Sequence, residues 1–153
     1  MNVSYNDFEE KDSGDLRDMM FRLYEEDPEG EPITDEKIRK TINECKNCPE
    51  KVRLIMLSAD GRNIGYCILV YFWSNEYGGD AAVIDELYIM EEYRNQGIGT
   101  AFIKHLMNGN KNAVSLEVES TPSNKAAARL YKRLGFKKSE NDHMVLFLTD
   151  KDS

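Results

Sequence analysis

The chain is poor in the features that mark disulfide-stapled, membrane-crossing and nucleic-acid-binding proteins. Cysteine is scarce and odd in number, at Cys45, Cys48 and Cys67, which argues against a disulfide framework. Cys45 and Cys48 form a lone CxxC. A zinc site needs two more ligands, and the only histidines are His105 and His143. These cysteines therefore read as incidental thiols near a helix end, and no metal is expected. No window approaches the roughly 18 uninterrupted apolar residues of a membrane helix. The opening MNVSYNDFEEKD lacks the basic and then apolar stretches of a signal peptide, so the default expectation is a cytoplasmic protein with no membrane partner. Positive charge is in deficit: 20 Lys and Arg stand against 28 Asp and Glu, a formal net charge of −8. General nucleic-acid binding needs the reverse. Solubility alone accounts for such a charge, and it also suits a cationic substrate. Two nucleotide signatures are missing as well. There is no GxxxxGK[ST], and no GxGxxG follows the N-terminal strand, so neither a P-loop nor a dinucleotide Rossmann fold is expected.

What is present reads as one globular domain over 1–153, since that length and a 41% hydrophobic composition support a single core. NVSYNDF predicts a first strand. Leu16, Met19, Met20 and Leu23 keep helical spacing and predict a helix over about 13–26. Residues 27–32 predict a loop. Thr34 caps a second helix that carries Ile38, Ile42 and Cys45. VRLIMLS and NIGYCILVYF predict strands joined by an Asp-Gly hairpin turn at 59–62. A turn at 74–80 leads to a strand over 81–90. A helix over about 98–108, a strand at 113–119 and a helix over about 124–134 follow. FKKS and MVLFLT close the chain as two more strands. The order implies an α/β (α+β) fold with a mixed twisted sheet of about seven strands, about four helices and a parallel pair in the second half.

Two stretches carry chemistry. In YIMEEYRNQGIGTAFIKHLM a strand ends, the chain turns through Arg94-Asn95-Gln96-Gly97-Ile98-Gly99, and a helix begins. The first amides of a helix lack intrahelical acceptors and carry partial positive charge. Gly97 and Gly99 leave that backbone open to an anion, and Arg94 adds a cation. In SNKAAARLYKRLGF, Asn124, Ala127 and Tyr131 fall near one helix face before Gly135 ends the helix.

Together the motifs resemble the GNAT superfamily of acetyl-CoA-dependent N-acyltransferases. RNQGIG is similar to its R/Q-x-x-G-x-G/A acyl-CoA signature, and NKAAARLYKRLGF to its N-x-x-A-x-x-x-Y-x-x-x-GF segment. The order of elements agrees along nearly the whole chain. The resemblance implies a GNAT fold with splayed central parallel strands and acetyl-CoA as co-substrate. It implies pyrophosphate on the amides of Arg94, Asn95, Gln96, Gly97, Ile98, Gly99 and Thr100, with pantetheine pairing along Leu87, Tyr88 and Ile89. Asn124 then contacts the pantetheine or acyl chain, and Tyr131 protonates the departing thiolate. Many relatives pair, so a homodimer is one expectation.

The acceptor must lose a proton before it attacks, because a primary ammonium has a pKa of about 10.4. A carboxylate can receive it, and a strand amide such as that of Ile89 can hold the oxyanion. Glu86 is the leading candidate for base, and Glu117 follows closely. Asp85-Glu86 resembles the acidic pair that precedes the motif in polyamine acetyltransferases, and Glu117 the acid of the LEV strand in some protein-amine acetyltransferases. ESTPSN holds two more residues than the nearest family pattern, which leaves the register of Glu117 and Glu119 open. Tyr24, Asp27, Trp73 and Asp85 are candidate substrate contacts, because acids mixed with aromatics suit an amine. The expected reaction is direct attack on acetyl-CoA by a small cationic amine, polyamine or aminoglycoside-like. A protein lysine or N-terminal acetyltransferase and a non-catalytic acyl-CoA sensor are the alternatives.

Overall fold

The computed structural model describes residues 1–109 and 112–149. Five strands form one sheet in the order β1 (Val3–Asp7), β2 (Val52–Ala59), β3 (Arg62–Ser74), β4 (Gly79–Ile89) and β5 (Ala113–Val118). The first three interfaces are antiparallel, and β4 with β5 is the expected parallel pair. Helices α1 (Ser13–Glu26) and α2 (Asp35–Asn47) cover one face. Helices α3 (Ile98–Gly109) and α4 (Lys125–Arg133) cover the other. Among the described residues no helix is long and apolar enough to cross a membrane.

The central strands read as almost unbroken apolar runs because both faces are buried. In β2, Ile55 and Leu57 pack toward Phe102 and Ile103 of α3, while Leu54 and Met56 pack toward Leu16 and Met20 of α1. The predicted stops act as their chemistry requires. Thr34 accepts the amide of Lys37 at 3.2 Å. Asp60 and Gly61 both take positive φ, at 52° and 79°, which is what a tight hairpin turn demands.

One irregularity decides where side chains go. In the β3–β4 ladder, Ile68 pairs with Glu86, but Leu69 pairs with Ile84. Asp85 is an extra residue, a β-bulge. Beyond a bulge the alternation of side chains inverts. Ile84 and Leu87 therefore share the α3/α4 face, whereas Glu86 and Tyr88 turn to the α1/α2 face.

The expectation of about seven strands is corrected to five among the described residues. FKKS and MVLFLT form no ladder, and Met144, Leu146 and Leu148 stay 84–92% exposed. A strand-like composition expresses a fit to a pleated, half-buried surface rather than a backbone preference. Without a paired neighbour, the run stays irregular.

Gly65 faces β4 so closely that an added Cβ would stand 2.4 Å from the Tyr88 carbonyl oxygen. Gly65→Ala should cost about 1–3 kcal/mol in chemical denaturation, because a backbone atom cannot swing aside. At Gly14, in α1, an added Cβ would meet nothing within 4 Å. Gly14→Ala should be neutral or stabilising by up to about 1 kcal/mol.

Candidate active site

The site forms where β4 and β5 part. Their pairing runs from Asp80 opposite Ala113 to Ile84 opposite Val118, and β4 then continues to Ile89 paired with β3 but not with β5. The Met90 amide donates to the Ile64 carbonyl at 2.8 Å. Hydrogen bonding alternates along an antiparallel pair. Tyr88 and Glu86 therefore also turn their backbone groups to β3, while Leu87 and Ile89 turn theirs to the gap. A cavity of about 400 Å³ lies there, lined by Ile84 and Leu87 on one strand, Val118 and Glu119 on the other, and Asn124 and Tyr131 of the α4 region. An extended arm can pair with Leu87 and Ile89, and either amide can face an oxyanion. Tyr88, the middle residue of that stretch, turns its backbone to β3 and packs its ring in the α1/α2 core.

At the end of β4 the chain enters the glycine turn. Asn95 and Gly97 take φ of 61° and 82°, and α3 starts at Ile98. The Gly97 carbonyl accepts from Ala101 at 3.0 Å, so the amides ahead of Ala101 open outward as the free donors of a first helical turn. A Cβ on Gly99 would meet Ile89 and Leu130 at 3.5 and 3.6 Å, ordinary van der Waals contact, so packing alone does not require glycine here. Gln96 is spent on the turn itself, donating to the Glu92 carbonyl at 3.1 Å. Arg94 does not face the cradle as expected. Its Nε donates to the Ile89 carbonyl at 2.7 Å, and its Nη2 reaches Glu26 at 2.8 Å. It ties the turn to β4 and α1. The cation beside the cradle is Arg133, whose Nη2 stands 3.5 Å from Thr100 Oγ1.

Tyr131 and Asn124 are held by the ends of α4. Asn124 Oδ1 accepts the Ala127 amide at 3.1 Å as the N-cap, which leaves its NH₂ for the cleft. At the other end, Gly135 takes φ of 99° and the Phe136 amide returns to the Tyr131 carbonyl at 3.0 Å. Phe136 then packs edge-on against the Tyr131 ring, with centroids 5.6 Å apart. Burial pushes the Tyr131 phenol up, so it stays a proton donor at neutral pH.

The carboxylates separate by position. Glu86 Oε2 accepts from Tyr24 at 2.6 Å and Oε1 from Tyr66 at 2.8 Å. Burial raises its pKa, the two phenols pull it back down, and Asp85 raises it further. Asp85 is itself pushed up, by desolvation and then by Glu119. Asp27 caps α1 and accepts from Thr121 at 3.1 Å through Oδ2. Its Oδ1 is buried with no partner among the described residues.

The fold thus brings Tyr24, Asp27, Asp85, Glu86, Asn124 and Tyr131 to one cleft. It does not bring Glu117 or Trp73 there. Glu117 sits on the opposite phase of β5, exposed and bonded to Ser115 at 3.1 Å. Trp73 is 66% exposed opposite Asp80, at the far end of the β3–β4 hairpin. The linear pattern leaves the LEV register open, and the cleft takes Glu119. That pattern also misses Tyr66, which looks like any aromatic in an apolar strand, and Arg133, which looks like a solvated helix-end cation.

Known proteins share this fold. The sequence model of the Acetyltransferase (GNAT) family matches residues 17–136. Thialysine N-epsilon-acetyltransferase of Bos taurus is 35% identical over 86 residues, 52% of this chain and 51% of that protein. The match therefore spans about half the length of that curated relative. A possible acetyltransferase from Clostridium difficile 630 superposes with a TM-score of 0.84 at 17% identity, covering 98% of this chain and 100% of that one. AAC(6')-Iy, in complex with the bisubstrate analog CoA-S-monomethyl-acetylneamine, superposes at 0.74 with 16% identity, covering 98% and 99%. The family match spans well over half of the chain and both of its motifs, so this protein belongs to the Acetyltransferase (GNAT) family.

Proposed function

We propose that the protein transfers the acetyl group of acetyl-CoA to the primary amine of a small molecule by direct attack in a ternary complex. The observation that carries this reading is Glu86, a half-buried carboxylate held by two phenols at the point where the strands part.

The amides of the Gly97–Thr100 turn hold the pyrophosphate, and Arg133 supplies the nearby cation. Of the gap-facing groups, the Ile89 carbonyl is taken by Arg94, so the Leu87 carbonyl and one of the two amides pair with the pantetheine arm and set the thioester between β4 and β5. Asp85, Asp27 and Glu119 draw the ammonium into the cleft. Glu86 takes a proton from it, directly or through one water, so that the lone pair can attack the carbonyl carbon. A glutamate with a raised pKa is better matched to that task than an ordinary one. The Ile89 or Leu87 amide stabilises the oxyanion. The C–S bond then breaks, and Tyr131 donates its phenolic proton to the leaving thiolate.

Several acceptor classes follow from separate grounds. The acids of the cleft suit a polyamine or aminoglycoside-like amine, and the thialysine acetyltransferase relative points to the side-chain amine of an amino acid. A screen of acetyl-CoA consumption over polyamines, aminoglycosides, amino acids and peptide N-termini separates them. Acetyl-CoA binding with no acceptor turned over would instead support a sensor.

Glu86→Gln should lower kcat by about 10²–10⁴-fold with acetyl-CoA affinity retained, and Glu117→Gln should leave kcat within about twofold, both read by thiol release. Activity requires ionised Glu86, so the acid limb of kcat/KM should lie above the ordinary glutamate value. The phenols stabilise the charged form, so Tyr24→Phe or Tyr66→Phe should move that limb to higher pH. A limb that stays in place after both substitutions would remove Glu86 as the base. Tyr131→Phe should slow acetyl transfer while leaving the acid limb where it is.

A further inference from the structure

A second cavity, of about 380 Å³, opens on the other side of Glu86. It shares Tyr24, Asp85 and Glu86 with the first, so the two meet at the proposed base. Its walls fall into three zones. Asp85 and Glu86 stand at the sheet end. Met20, Ile68 and Val70 make an apolar middle. On α2 stand Lys37 and Lys40.

The lysines share one helix face with Thr41 and Glu44, at i, i+3, i+4 and i+7 spacing. Their surroundings do not cancel them. Lys37 Nζ donates to the Pro32 carbonyl at 2.7 Å, which fixes its position and leaves its charge. Lys40 has Glu36 at 3.5 Å, in a pair exposed on both sides, and such pairs are weak and water-screened. Glu44, on the same wall, pairs with Lys51 at 3.0 Å and is exposed too, so two ammonium groups stand there against one carboxylate. Thr41 spends its proton on the Lys37 carbonyl. The helix wall therefore presents net positive charge to a cavity whose opposite end is negative.

A simple diamine or polyamine fits half of this field. One ammonium sits well at Asp85 and Glu86, but the next meets Lys37 and Lys40. An amine joined through methylenes to an anionic group satisfies all three zones. From this polarity we infer that the acceptor is a zwitterionic primary amine, with its carboxylate read by Lys37 and Lys40 and its aliphatic spacer lying over Met20, Ile68 and Val70. The inference rests on the acetyl-transfer reading and narrows its acceptor. It makes Lys37 and Lys40 specificity-determining residues.

Lysine and cadaverine test it, because they share a five-carbon amine and differ by one carboxylate. The wild-type protein should favour lysine in kcat/KM by about tenfold or more, the size expected for hydrogen bonds to a charged group. The double variant Lys37→Gln/Lys40→Gln should bring the ratio near one through a raised KM for lysine, with kcat kept. Lys40→Glu should turn the preference toward cadaverine. Lys46→Gln, on the same helix outside the cavity, should leave the ratio unchanged. All of these side chains are exposed on α2, so folding should survive the changes. Cadaverine used as well as lysine, or a preference that survives the double variant, overturns the inference and leaves acetyl transfer standing. Turnover of no amine while acetyl-CoA binds overturns the acetyl-transfer reading and the inference with it.

Discussion

The extra residue in β4 is the constraint on which the site depends. Asp85 breaks the register with β3, so the strand beyond it presents the opposite side chains to each face. Without that inversion Glu86 would point with Ile84 into the α3/α4 core, where an uncompensated carboxylate is costly. With it, Glu86 meets Tyr24 of α1 and Tyr66 of β3. The same region loses its β5 partner after Ile84, so polar backbone is exposed in an interior that would otherwise close over it. The bulge and the parting of strands make one carboxylate reachable from two cavities.

The electrostatics follow from that placement. Burial alone would push Glu86 toward its neutral form, and a neutral acid is no base. Two phenol donors keep the charged form within reach. Asp85 and Glu119 add negative charge nearby, and Glu119 helps to hold the Asp85 pKa up. Facing them across the second cavity, α2 supplies ammonium groups at Lys37 and Lys40. The field along the proposed acceptor path therefore runs from positive at the helix to negative at the base.

The glycine turn shows how a motif can be right about location and incomplete about roles. Gly97 needs its positive φ, and the helix behind it leaves donors free. Arg94 is the obvious anion ligand from its spacing, yet it clamps the turn to Ile89 and Glu26. Glu26 lies 68 residues away in sequence, so no local pattern announces that pair. Arg133 reaches the turn only because α4 packs beside α3. Burial does the same for Tyr131: its helix position is legible in the sequence, but the gap in front of it requires both strand ends.

Periodicity, caps and turn residues by themselves determined most elements, because those signals act over a few residues: the hairpin at Asp60-Gly61, the Thr34 cap and the stop at Gly135 are local chemistry. The pairing of RNQGIG with NKAAARLYKRLGF likewise pointed to the family whose model matches residues 17–136. Tertiary structure alone decided which acids reach the cleft. Glu86 and Glu117 interrupt apolar strands and Glu119 follows the end of one, and only a one-residue bulge and the end of one ladder separate them. It also decided that FKKS and MVLFLT do not join the sheet, since a strand exists only where another receives it. Register, burial and pairing are properties of neighbours distant in sequence, and a linear pattern does not carry them.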